Sequence, residues 1–308
     1  MIQVEKLTRT YGHLKAVDEV SFEIQRGEVV GLLGHNGAGK TTILKVLTGF
    51  LEPSGGRVVL QGRDLQEDRQ AAQRHIGYLP ENCPLYPEMT VIDFLEYQAG
   101  LHGIPEGRRL GLVRQAIART ALESKASAVI GTLSRGYRQR VGVAQAILHT
   151  PEILILDEPT NGLDPTQIQH MRALIQELAR GATVLLSTHI LQEVEAVCDR
   201  VLILRAGKLA LDAKLSDLSS TLRGLQIEVD AGLEKVKALL APLKEVKAIH
   251  TDGKNRYTLE TSDPKTAAPN VARAIISGGV NLYRLQQERR DLETIFGEIN
   301  QVSEVHHV

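Results

Sequence analysis

Gly34-His35-Asn36-Gly37-Ala38-Gly39-Lys40-Thr41 satisfies the pattern G-x-x-x-x-G-K-[ST] at every defined position. Before it, Val29-Val30-Gly31-Leu32-Leu33 reads as a buried strand, and after it Thr42-Ile43-Leu44-Lys45-Val46-Leu47 reads as the start of a helix. Such a strand–loop–helix presents successive backbone N–H groups and the positive end of a helix to anionic oxygens. Glycine is needed where the backbone must approach phosphate without a Cβ. In this pattern Lys40 reaches the β- and γ-phosphates and the Thr41 hydroxyl ligates Mg²⁺. His35, Asn36, Ala38 and Thr42 complete the expected nucleotide-binding run. The stretch implies a nucleoside-triphosphate site.

A phosphate loop alone does not select a function, because kinases, GTPases and motors share it. Four later stretches narrow the field: Leu133-Ser134-Arg135-Gly136-Tyr137-Arg138-Gln139-Arg140, Ile153-Leu154-Ile155-Leu156-Asp157-Glu158, Asn161-Gly162-Leu163-Asp164 and Ser187-Thr188-His189. In that order they resemble the signature motif, Walker B, D-loop and switch histidine of the ATP-binding cassette (ABC) ATPases, over about the first 215 residues. The resemblance implies ATP and Mg²⁺ as ligands. It also implies an α/β P-loop cassette over 1–216, with a parallel sheet core, an antiparallel β edge and a helical subdomain at about 82–149.

Walker B places Asp157 and Glu158 at the carboxyl end of a buried strand, where ligands of α/β proteins sit. Asp157 is expected to hold Mg²⁺ through water, and Glu158 to be the general base toward the attacking water. By resemblance, Ser134 and Gly136, opening a helix, cap the γ-phosphate of the ATP held by a second, facing copy. Ser134 suits an ordinary helix N-cap as well. The consequence is an isologous dimer with two ATPs at its interface. Asp164 belongs at that interface; its alternative is a turn aspartate before Pro165. His189 takes the place from which the family's switch histidine contacts the γ-phosphate. Tyr11 matches the aromatic that stacks on adenine, although Tyr11-Gly12 also reads as a turn.

Arg135 and Tyr137 depart from the commoner Leu-Ser-Gly-Gly-Gln wording at permissive positions. Tyr78-Leu79-Pro80-Glu81 carries glutamate where most members have a glutamine that ligates Mg²⁺ and connects nucleotide to the helical insert. Glu81 keeps an oxygen for the metal yet adds negative charge beside the γ-phosphate. A Glu81 that points away and ligates nothing is the other reading. Leu-Pro-Glu at this place resembles ABC-2-type exporters, including the gliding-motility and copper-maturation kinds.

Bulk properties agree with a globular ATPase. With 308 residues the chain has room for about two domains, and at 43% hydrophobic residues it can bury a substantial core. The formal charge of −1 argues against a broad nucleic-acid surface, so no nucleic-acid partner is expected. Cys83 and Cys198 stand too far apart in sequence to suggest a disulfide framework, and a reducing compartment follows. No run approaches the ~18 apolar residues of a membrane helix, and the N-terminus lacks a signal-peptide core. If the protein works at a membrane, a separate permease supplies the span. The chain is then peripheral, on the cytoplasmic face of the inner membrane.

Along the chain, residues 2–30 alternate apolar and polar in short antiparallel-type strands. From about Val91 to Ile130 the spacing is helical. After about Asp217 a new pattern begins: strand Leu225–Val229, helix Glu234–Leu243, and a hairpin of Lys247–His250 and Arg256–Thr261 around Asp252-Gly253-Lys254-Asn255. Helix Val271–Ser277, strand Leu282–Gln286 and helix Asp291–Ile299 follow. The order β-α-β-β-α-β resembles a small ferredoxin-like α+β domain at 217–308. Arg108-Arg109 and Arg289-Arg290 read as solvated charge, and His306-His307 is too isolated for a metal role.

The leading expectation is the ATP-hydrolysing subunit of an ABC transporter, most like an ABC-2-type exporter. The rival is a soluble ABC ATPase acting on nucleic acid, ribosomes or a regulatory partner. Such relatives typically carry two cassettes or a long inserted coiled coil, and neither is present. A nucleotide-binding regulator that hydrolyses little is disfavoured by the complete set Asp157, Glu158 and His189.

Overall fold

The computed structural model describes residues 2–301, apart from 221, 252, 254, 290 and 291. It divides into two compact units, Met1–Leu215 and Ser216–Val308.

The first unit opens with β1 (Ile2–Tyr11) and β2 (Leu14–Ile24), antiparallel from Ile2 opposite Ile24 to Tyr11 opposite Leu14. Period-two alternation buries Val20, Phe22 and Ile24 and exposes Ser21 and Glu23. β3 (Val29–Leu33) is buried throughout and runs through the phosphate loop into α1 (Lys40–Leu47). β4 (Gly55–Leu60) and β5 (Arg63–Asp64) complete a four-stranded antiparallel sheet in the order β2-β1-β4-β5. α2 (Arg69–Gln73), N-capped by Asp68, leads to β6 (Ile76–Leu79). The expected helical region follows as α3 (Val91–Leu101), α4 (Glu106–Arg119) and α5 (Arg135–Ile147). The chain then alternates through β7 (Ile153–Asp157), α6 (Pro165–Ala179), β8 (Thr183–Thr188), α7 (Leu191–Val197), β9 (Arg200–Arg205) and β10 (Lys208–Lys214).

The six-stranded sheet has the order β10-β9-β3-β8-β7-β6, parallel except for edge strand β10. Strands buried on both faces have apolar side chains at every position. Accordingly Leu154, Leu156, Val184 and Leu186 join a core with Phe94, Leu95, Val141 and Leu174 from the helices. The alternate residues Ile153, Ile155 and Leu185 join Ile43, Leu44 and Leu47 of α1 and the antiparallel strands on the other face. Register places Leu33 opposite Thr188 and Asp157 opposite Ser187. Three strand ends far apart in sequence therefore finish side by side.

His149, just after α5, stacks on His102 with ring centroids 4.1 Å apart, and its Nε2–H donates to the Ile76 carbonyl at 3.0 Å. Its Nδ1 is buried without a partner. Burial, with His102 close by, pushes its pKa from 6.5 down to about 4. Between those values the unfolded chain binds the proton and the folded chain does not, so stability falls as pH is lowered through this window. Thermal midpoints measured from pH 7 to pH 4.5 are expected to drop more steeply for the wild type than for His149→Gln. Parallel curves would remove His149 as the cause.

Arg109 reads as solvated surface charge, yet its Nε–H donates to the Ile104 carbonyl at 2.7 Å and the residue is half-buried. Arg108 is exposed. Arg290, His306 and His307 lie outside the described residues, and Arg289 is described only as backbone in the last strand of the second unit.

α8 (Leu215–Ser220) begins at the last residue of the first unit. The second unit continues with β11 (Leu222–Val229), α9 (Leu233–Leu240), β12 (Val246–Thr251), β13 (Arg256–Thr261), α10 (Pro264–Ser277), β14 (Leu282–Arg289) and α11 (Leu292–Gln301). Its sheet is antiparallel, in the order β12-β13-β11-β14. Val236, Leu240, Val271 and Ile275 of the helices pack on Leu225, Ile227, Tyr257 and Leu259. α9 stops at Leu240, short of the expected Leu243, because Pro242 has no N–H to continue it. Within the hairpin turn Asp252 and Lys254 are outside the described residues, while Gly253 and Asn255 take positive φ, as their residue types favour.

Candidate functional site

The phosphate loop is shaped by contacts with strands on both sides. A Cβ on Gly39, whose φ is +105°, would stand 2.5 Å from the Ala16 carbonyl oxygen, and one on Gly34 would stand 2.7 Å from that of Leu204. Only glycine permits both approaches. Ala38 is buried, and its carbonyl accepts from Gly207 N at 3.1 Å. Lys40, the first residue of α1, is buried, which requires its ammonium to be bonded. Its Nζ donates to the Gly34 carbonyl at 2.7 Å and to that of His35 at 3.4 Å, and lies 3.5 Å from Glu158 Oε1.

The end of β7 stands beside that of β8. Ser187 Oγ donates to Asp157 Oδ1 at 2.5 Å, and Thr41 Oγ1 donates to the same oxygen at 3.4 Å. Asp157 Oδ2 is buried and has no partner. Burial raises the Asp157 pKa above the ordinary carboxylate value against the lowering effect of the two hydroxyls, with Glu81 and Glu158 reinforcing the rise. A buried carboxylate oxygen left without a partner is suited to a cation or its water. Among the described residues no group of three or more His, Cys, Asp or Glu builds a metal cage. Mg²⁺ does not require one, since it is commonly held by one or two protein oxygens together with substrate phosphates. Thr41, Asp157 and Glu81 fit that donor set.

Glu158 adopts φ +48°, a left-handed conformation that costs a non-glycine residue about 1–2 kcal/mol. Its N–H donates to the carbonyl of Ser187 at 3.1 Å and lies 3.2 Å from the Ser187 hydroxyl. Its Oε2 is 2.9 Å from His189 Nδ1. The carboxylate is buried, whereas the histidine is 42% exposed and reaches the open side of the site.

One cleft of about 480 Å³ brings most of the expected residues together. Tyr11, His35, Asn36 and Gly37 line it with Gly39, Lys40, Thr41 and Thr42, and Glu81, Glu158 and His189 line it too. Tyr11, 43% exposed, carries the Arg9 guanidinium 4.8 Å from its ring centroid, so Arg9 takes part of its surface. Of the two readings of Glu81, the structure has it facing the cleft, with Oε1 accepting from Asn161 Nδ2 at 3.1 Å.

Ser134, Gly136 and Asp164 do not line this cleft. Ser134 N-caps α5, its Oγ accepting from Tyr137 N at 3.4 Å, and Asp164 N-caps α6, accepting from Gln167 N at 2.9 Å. A Cβ on Gly136 would meet the Gln167 side chain at 2.4 Å, so the two helix N-termini adjoin.

Ser187, Thr160 and Glu193 have no role legible in the local sequence. Ser187 ties Asp157 to Glu158, and Glu193 of α7 accepts from the hydroxyls of Thr160 and Thr188. The local signal for Glu193, an acid in the first turn of a helix, is indistinguishable from an ordinary capping position.

The ABC transporter family model matches residues 17–161. The uncharacterized ABC transporter ATP-binding protein YdbJ of Bacillus subtilis (strain 168) is 32% identical over 305 residues, covering 96% of this chain and 94% of the relative. The bacitracin transport ATP-binding protein BcrA of Bacillus licheniformis is 38% identical over 211 residues, 68% of each chain. Among solved structures, the dimeric ATP-binding cassette MJ0796 in a post-hydrolysis state with ADP and Pi superposes with a TM-score of 0.64 at 25% identity, covering 70% of this chain and 99% of that one.

Proposed function

For a chain that belongs to the family of ABC transporter ATP-binding proteins, we propose the part of the ATP-hydrolysing subunit of an ABC-2-type exporter, driving a separate membrane permease. ATP binding and hydrolysis follow from the family. The exporter class draws support from the bacitracin transport relative and from Leu79-Pro80-Glu81. The single observation that carries the catalytic reading is the meeting of Lys40, Glu158 and His189 at the ends of three adjacent parallel strands.

In this reading the triphosphate lies along residues 34–42, with Lys40 turned from the loop carbonyls toward phosphate oxygens. Glu158 accepts the proton of the attacking water, and His189, bonded to it, orients the carboxylate and meets the γ-phosphate. Thr41, Asp157 and Glu81 would hold Mg²⁺, which supplies charge neutralisation of the phosphates when bound. Ser134 and Gly136 cap the partner copy's ATP and Asp164 lines the same homodimer interface. Their position outside the Lys40 cleft, on adjoining helix N-termini, supports that assignment. Tyr11 stacks on the adenine. Tyr11→Ala is expected to weaken ATP binding about 5- to 150-fold, as loss of about 1–3 kcal/mol of stacking implies, with Tyr11→Phe close to wild type in a fluorescent-nucleotide titration. Equal affinity for the alanine variant would detach Tyr11 from the base.

We assign the cassette to 1–216, with its helical subdomain at about 82–149, and an accessory domain to 217–308. The antiparallel order β12-β13-β11-β14 within β-α-β-β-α-β supports a ferredoxin-like fold for the latter. Among the described residues no helix is long and apolar enough to cross a membrane. By its likeness to transporter ATP-binding subunits, the proposed place is peripheral, at the cytoplasmic face of the inner membrane. Affinity capture from detergent-solubilised membranes of the native host tests the pairing. A multi-helix membrane partner is the expected result. Recovery only from the soluble fraction, with ribosomal, DNA-processing or no partners, would move the reading to a soluble ABC ATPase.

A further inference from the structure

Glu193 is 2% exposed and lies outside the nucleotide cleft. Its Oε1 accepts from Thr160 Oγ1, and its Oε2 accepts from Thr188 Oγ1 at 2.8 Å. Thr188 Oγ1 in turn accepts from Ile190 N at 3.1 Å, so this hydroxyl is committed in both directions. Thr160 lies two residues past Glu158, and Thr188 immediately precedes His189. The ladder between β7 and β8 ends at Asp157 opposite Ser187. Beyond that pair Thr188, still paired with Leu33 of β3, is the last residue of β8 before His189, while Glu158 leaves β7 at φ +48°. A residue in that conformation persists only where its surroundings impose it.

A carboxylate so far removed from water must be bonded to be tolerated. Here both oxygens are spent on hydroxyls, one on Thr160 past the end of β7 and one on Thr188 at the last residue of β8. The geometry points to Glu193 as a positioning residue for hydrolysis, a clamp that holds the Glu158–His189 pair at its 2.9 Å contact. It rests on the roles given above to Glu158 and His189. Because Thr160 leads directly into Asn161, the same clamp supports the donor to Glu81.

The test is steady-state ATP hydrolysis by the full chain carrying Glu193→Ala, His189→Ala, both, or Glu193→Gln. Glu193→Ala is expected to lower kcat about 10²-fold while KM for ATP stays within about threefold. Glu193→Gln keeps the shape and one acceptor oxygen, and its amide can donate to Thr160. It should return kcat to within about fivefold of wild type. If Glu193 acts through His189, adding Glu193→Ala to His189→Ala costs less than about threefold more. Losses that multiply in the double variant, or a rise in KM that matches the fall in kcat, overturn the clamp. Should the alanine variant fail to fold, Thr160→Val and Thr188→Val each remove one hydroxyl at nearly constant shape. Both should lower kcat about 10-fold with ATP affinity kept, and wild-type rates in both overturn the inference. Normal turnover by Glu158→Gln would instead sink the reading on which it rests.

Discussion

Glu158→Gln is expected to cut ATP turnover about 10²- to 10⁴-fold, the usual worth of a general base, while leaving ATP bound. The amide keeps the shape of the carboxylate and can still reach His189 Nδ1, which lies 2.9 Å from Glu158 Oε2 in the native chain. It cannot take a proton from water. It also removes a negative charge 3.5 Å from Lys40, on the side where the γ-phosphate must lie, so ATP affinity holds or rises. If hydrolysis is what reopens the dimer, the variant accumulates as a closed, ATP-bound dimer. Phosphate release and light scattering on a sizing column, with and without Mg-ATP, read the two effects separately. A normal hydrolysis rate would show that Glu158 is not the base. Lost turnover without an ATP-dependent dimer would separate hydrolysis from dimer opening.

Lys40→Ala should weaken ATP binding about 10- to 150-fold, since hydrogen bonds to a charged group contribute about 1.5–3 kcal/mol. The native ammonium is buried and engaged by Gly34 and His35 carbonyls, contacts it must exchange for phosphate oxygens. Alanine supplies no donor and leaves Glu158 without its nearest cation. Lys40→Arg is not a conservative repair, because a planar guanidinium cannot reproduce the compact ammonium that meets the Gly34 and His35 carbonyls. Titration with a fluorescent nucleotide measures the loss directly. Unchanged affinity would mean that the triphosphate does not lie along this loop.

Much of the site is written in short stretches, and the reason is geometric. A phosphate loop needs glycines, a lysine and a hydroxyl at fixed backbone intervals, and a strand-end carboxylate pair needs only an apolar run before it. Residues 34–42 and Asp157-Glu158 meet those conditions locally, and the structure puts them within one cleft or directly behind it. Ser134 is legible for the same reason as a helix N-cap, a role set by the residues two and three positions on, whereas Asp164, read from sequence as an interface residue or a turn aspartate, N-caps α6 in the structure.

Other features depend on which segments meet. That Glu81 faces the cleft goes with its bond to Asn161, eighty positions later and beyond the end of another strand. His149 reads as an unremarkable polar residue until α3 and β6 close around it and hold it neutral. Arg109 reads as solvated until the Ile104 carbonyl is placed beside it.

The amino-acid sequence by itself determined the elements and the chemistry of the loop, because periodicity, glycine and caps act within a few residues. Only the tertiary structure decided that β3 lies between β8 and β9 rather than beside β4. Strand order is chosen by the burial of whole faces, Leu154 and Val184 on one side of the sheet and Ile155 and Leu185 on the other. That choice put Ser187 against Asp157, Glu193 between Thr160 and Thr188, and His189 on Glu158, pairings that no local pattern encodes.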